Sequence, residues 1–82
     1  MKLTEKQKNE LLEKLSQLEH EQWMKWAKHI LENENISEET RKKWEEDFIP
    51  YSELPENIKK LDRPFAQKSL EIFEDFLSSF GL

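Results

Sequence analysis

From Leu18 to Trp26 the chain reads Leu-Glu-His-Glu-Gln-Trp-Met-Lys-Trp, which puts two tryptophans on one helical stretch with an acid, an imidazole and an amide. Side chains of these types can recognise a ligand. Flat indole faces stack on a ring, while Glu19, His20 and Gln22 supply donors and acceptors for its edge. At ~100° per residue, Leu11, Leu12, Leu15, Leu18, Trp23, Trp26 and Ile30 fall in one arc that also holds Glu19, Gln22 and His29. Burial of an unpaired polar group costs ~1 to 3 kcal/mol, so these residues need partners. Either other parts of the fold satisfy them as structural hydrogen bonds, or they line a pocket floored by Trp23 and Trp26.

Other chemistries have little support. His20-Glu21-Gln22-Trp23-Met24 begins like a zinc-protease HExxH, but Met24 stands where the second histidine is needed. His20 and His29 project to opposite sides of one helix, so no metal site is expected. The single glycine, Gly81, excludes a glycine-rich phosphate loop, and the absence of cysteine excludes a thiolate nucleophile. Glu19 is the one acid whose surroundings set it apart, and it has no second buried acid to work with. The expectation is a binding protein and not an enzyme, with no cofactor.

With 82 residues there is room for one domain, 1–82, in which three Trp and five Phe must supply much of the core. A net charge of -5 opposes binding of DNA or RNA polymers. Arg41-Lys42-Lys43, and Lys59-Lys60 with Arg63, are basic clusters that suit a small anion, or else form solvated faces. No apolar run is long enough to span a membrane, and the N-terminus lacks a signal core. A cytoplasmic chain starting at Met1 is therefore expected, and the absence of cysteine suits a reducing compartment.

The elements that must position these residues are helical. Thr4 caps a helix that runs to about Leu31, and Ser37 caps a second that ends near Phe48. Pro50 to Pro55 reads as a loop, followed by a single helical turn through Leu61. Asp62 is then a candidate cap for a third helix from Arg63 to Ser79, stopped by Gly81, with Arg63 at its start where amide donors favour phosphate. The fold class is all-α, a small domain with a long N-terminal helix, two further helices and a short helical turn. On the third helix Phe65, Ala66, Leu70, Ile72, Phe73, Phe76, Leu77 and Phe80 share an arc broken only by Ser69. Burial of that arc predicts a loss of ~3 to 5 kcal/mol for Phe73→Ala or Phe76→Ala.

Glu19-His20-Glu21-Gln22-Trp23, then Trp44 to Pro50-Tyr51, then Glu53-Leu54-Pro55 and Lys60-Leu61-Asp62-Arg63 occur in an order that resembles the small ryanodine-receptor (RyR) repeat domain in its bacterial and phage forms. The likeness spans roughly Leu15 to Phe76. It implies a compact helical domain that binds nucleotide-derived ligands in settings of nucleotide signalling and phage defence, in a bacterial cell or a phage-infected host. The matching residues are His20, Trp23, Trp44, Tyr51, Leu54, Pro55, Asp62 and Arg63. The chain departs from the receptor repeats by having the Ser37 to Phe48 helix where they have a glycine-containing turn.

Residues and resemblance together give a ligand site of Glu19, His20, Gln22, Trp23, Trp26, Trp44, Tyr51, Lys60, Asp62 and Arg63. It would take a small anionic nucleotide-derived molecule, as a second-messenger sensor or sponge. The rival expectation is a protein-interaction or oligomerisation module, homo-oligomer included, with Trp23, Trp26 and Trp44 as its anchors. For Arg63 the competing role is an ion pair with Glu19 or another acid, holding the first helix to the third.

Overall fold

A computed structural model describes residues 3–81, so Met1, the expected start, lies outside the described residues. Among the described residues three helices, α1 (Glu5–Asn33), α2 (Glu38–Glu45) and α3 (Glu56–Ser79), are joined with one 3-10 turn at Tyr51–Glu53. No strand occurs among the described residues, and the class is all-α. None of the helices is long and apolar enough to cross a membrane.

Local chemistry sets the helix ends. The Thr4 hydroxyl accepts from the Gln7 amide, and the Gln7 side chain accepts from the Thr4 amide, a reciprocal cap that satisfies two orphan donors. Ser37 accepts from the Thr40 amide at 3.2 Å to open α2. Arg41 donates to the Leu31 carbonyl at 2.9 Å, which pins the corner between α1 and α2 and supplies one of the donors that the end of α1 lacks. Gly81 has φ +72°, the left-handed turn by which glycine ends a helix.

The third helix differs from its expected form. Pro55 opens a helix that does not stop at Leu61 but runs unbroken through Pro64 to Ser79, so Asp62 is not a cap and Arg63 is not at a helix start. Proline removes one backbone hydrogen bond and crowds the preceding turn, at ~3 kcal/mol. Packing along α1 offsets that strain, as tertiary contact generally outweighs local helix preference. The dipole argument for phosphate at Arg63 falls with this correction.

α1 and α3 are the main packed pair, tied near one end by Lys8 and Glu74 at 3.4 Å. Their contact does not follow the apolar arcs. The most deeply buried positions are Ser16, His20, Ala27 and Leu31 on α1 and Ala66 and Leu70 on α3, joined by Tyr51 and Leu54 from the connecting segment. Small side chains let the two helices approach closely. In consequence the arcs centred on Leu15 and Trp26 and on Phe65, Ile72 and Phe76 are turned aside. Phe73 is 42 % exposed and Phe76 58 %, which overturns the expectation that both are core rings. In a single copy Phe76→Ala should therefore cost less than about 1 kcal/mol by urea denaturation of dilute protein, as expected for a surface position.

Candidate functional site

A cavity of about 710 Å³ opens where α2 meets α1 and the first half of α3. α1 contributes Glu19, His20, Gln22, Trp23 and Trp26, which recur every three or four residues and so share one side of the helix. α2 and the turn after it contribute Lys43, Trp44 and Asp47, and α3 contributes Ile58, Leu61, Asp62 and Phe65.

Aromatic packing fixes the walls. Trp44 stands between the two indoles of α1, with ring centroids 6.2 Å from Trp23 in an edge-on arrangement and 5.7 Å from Trp26 at 44°. Behind them His20 stacks on Trp23 at 5.8 Å, and Phe48 leans on Trp23 at 5.6 Å. Trp26 and Phe65 are both more than half exposed and offer free faces from two different helices.

His20 is 2 % exposed, and its Nε2–H donates to the Ile49 carbonyl at 2.8 Å. It ties α1 to the segment before Pro50, a structural hydrogen bond of the kind weighed for the polar residues of this stretch. Its Nδ1 stands 3.8 Å from an Asp62 oxygen, beyond hydrogen-bond reach. Among the described residues no hydrogen bond reaches the carboxylates of Asp62 or Glu19 or the Gln22 amide, so apart from the His20 contact of Asp62 these groups are left to the cavity.

Asp62 holds its proton more tightly than an ordinary aspartate. Burial is the main cause, helped by the nearby Glu19 and Asp47 carboxylates and opposed by His20. Because the native state binds this proton more tightly than the unfolded chain does, stability from Asp62 is fullest in acid and declines as pH rises through the window above 3.8. Asp62→Asn should flatten that decline. Urea midpoints from about pH 4 to about pH 7 check it, with wild type losing ground on the variant as pH rises.

Seven of the ten expected site residues, Glu19, His20, Gln22, Trp23, Trp26, Trp44 and Asp62, border this cavity. Three do not. Tyr51 lies on the other side of α1, where it lines a smaller hollow with Met24, Phe48 and Pro50 and hydrogen-bonds to Glu13. Burial, with the Glu13 carboxylate, pushes its phenol up from the ordinary 10.0. Lys60 is exposed and away from the cavity. Arg63 turns to the opposite side of α3 from Leu61, where it pairs with Glu56 and, at 3.0 Å, with Glu13. This arginine is the strut between α1 and α3, with Glu13 as partner instead of Glu19. The Arg63 guanidinium holds the Glu56 carboxyl below its ordinary range and is itself held more firmly protonated. Glu13→Gln and Arg63→Ala should lose stability non-additively by ~0.5 to 1 kcal/mol in a denaturation cycle, as partly exposed pairs do.

Lys43, Asp47, Ile58, Leu61 and Phe65 border the cavity and were not among the expected site residues. Ile58, Leu61, Asp62 and Phe65 do carry a signal, the i, i+3, i+4, i+7 spacing of one helix face. Among the described residues no three His, Asp or Glu side chains are grouped to hold a metal ion.

Searches find no matching family model, no matching curated protein and no matching solved structure.

Proposed function

We propose that this domain binds a small nucleotide-derived molecule without altering it, as a sensor or a sponge for a signalling nucleotide. The observation that carries this is a cavity bordered by all three tryptophans of the chain together with a mostly buried carboxylate, Asp62, that no hydrogen bond among the described residues satisfies and whose one charged neighbour of opposite sign is His20 at 3.8 Å. Its volume lies within the ~300 to 1,000 Å³ of small-molecule sites. The charges decide which part of the ligand enters. Glu19, Asp47 and Asp62 repel phosphate, so the base goes in, with its face against Trp26 or Phe65 and its amino edge donating to Asp62 and Glu19. The anionic part stays at the rim beside Lys43, the one lysine on the cavity wall. The ligand class, and a cytoplasmic setting in a bacterial or phage-infected cell, follow from the resemblance to the RyR repeat.

A thermal-shift screen over linear and cyclic nucleotides tests this. A true ligand stabilises the native state by RT ln(1 + [L]/Kd), ~2.7 kcal/mol at a hundredfold excess over Kd. Trp26→Ala and Asp62→Asn should each shrink the shift, by about 1.3 kcal/mol for a tenfold loss of affinity at that excess, while keeping the helical circular dichroism of the wild type. A flat response to every nucleotide would refute the proposal.

A second reading, a protein-interaction module anchored on the tryptophans, is favoured by a different observation. The exposed Trp26 and Phe65 continue into an apolar stripe that runs down α3. On that reading stability follows protein concentration and ignores nucleotides.

A further inference from the structure

Beyond the end where α2 packs, one side of the molecule is apolar and bare. The segment around Ile49 and Tyr51 covers the other side of the α1–α3 pair, bonded to His20 and Glu13. Leu61, Phe65, Ile72 and Phe76 on α3 and Phe80 at its C-cap line the bare side, each more than half exposed, and Trp26 projects beside them from α1. The spacing of Leu61, Phe65, Ile72 and Phe76, four, seven and four residues, keeps them on one arc, about a quarter-turn or more from the buried Ala66 and Leu70, and Phe80 follows at the C-cap. Phe76 and Phe80 pack edge to face at 4.9 Å at the far end of the stripe.

The molecule measures 51 × 24 × 15 Å. Its thickness is little more than one helix, ~10 to 12 Å with side chains, whereas a domain core forms between two layers. Among the described residues Ser16 is the largest side chain that is fully buried. The second layer is missing.

We propose that a second copy of this chain supplies it, packing its own α1–α3 face against this one to make a four-helix arrangement. The described residues expose 6436 Å², about 1,200 Å² more than the ~5,200 Å² of a compact monomer of 10.0 kDa, an excess on the scale of the roughly 800 Å² per partner that a stable interface needs. An apolar seam at helical spacing is matched by another helix of the same spacing. A two-fold axis in the contact plane also sets every helix against an antiparallel neighbour, so the helix dipoles oppose favourably. The contact extends from the cavity rim at Trp26 and Phe65 to Phe80, well beyond the cavity itself.

Sedimentation equilibrium from micromolar to several hundred micromolar protein tests the proposal without any nucleotide present. Wild type should give twice the chain mass of 10.0 kDa, and its Tm should rise with concentration. Ile72→Glu combined with Phe76→Glu, both away from the cavity, should raise the dimer dissociation constant at least ~100-fold. Wild type at the mass of one chain throughout, with a Tm independent of concentration, would overturn the proposal and leave the stripe to a different protein. So would a double variant that dimerises as tightly as wild type. The wild-type measurements stand even if the variant unfolds, and a dimer that binds no nucleotide would refute only the function proposed above.

Discussion

Enlarging Ala66 to leucine should cost about 3 kcal/mol, and Ala27→Leu a similar amount, the range expected when extra methylenes are forced into a packed contact. For a chain of this size that is a fall in Tm on the order of 10 to 20 °C. Both alanines are fully buried in helices whose neighbours there are also small or tightly placed. A leucine at either position must push α3 off α1 or the connecting segment off both. Differential scanning calorimetry of the two variants decides it. A fall of under about 3 °C in either would mean that the helix pair closes elsewhere.

His20→Ala should cost about 2 to 4 kcal/mol. It leaves the Ile49 carbonyl without its donor, which alone accounts for ~1 to 3 kcal/mol, and removes the ring stacked on Trp23, worth a further ~0.5 to 1.5 kcal/mol. His20→Gln, which can still donate to that carbonyl, should recover part of the loss. Urea denaturation of the two variants measures both effects. Equal losses would mean that stacking and not the hydrogen bond holds His20.

Helix ends and helix contacts differ in how far the chain makes them legible. Thr4, Ser37 and Gly81 act through their own backbone neighbourhood, so the ends they set can be read from a few residues. The direction in which α1 meets α3 cannot be read that way. A helical wheel weights bulk and apolarity, and so it selects Phe65, Ile72 and Phe76, whereas close approach of two helices selects Ser16, Ala27 and Ala66. Pro64 misleads for a related reason, since its local strain is visible in sequence and the packing that offsets it is not.

The candidate site divides along the same line. Glu19, Gln22, Trp23 and Trp26 share a side of one helix, so periodicity alone groups them. Lys43 and Asp47 depend on how α2 crosses α1, which no local pattern reports. Asp62 and Arg63 are adjacent in sequence but ~100° apart round the helix, which puts one at the cavity and the other in a strut to Glu13.

Because Trp23, Trp26 and Trp44 are the only tryptophans and all border the cavity, indole fluorescence at a fixed protein concentration, which holds any contact through Trp26 constant, reports on that site. Titrating wild type with the nucleotide giving the largest thermal shift should quench it saturably with a one-to-one endpoint, and Asp62→Asn should weaken the apparent affinity at least ~10-fold. Fluorescence that changes only linearly with every nucleotide up to millimolar concentration, in wild type and variant alike, would contradict a base-binding cavity.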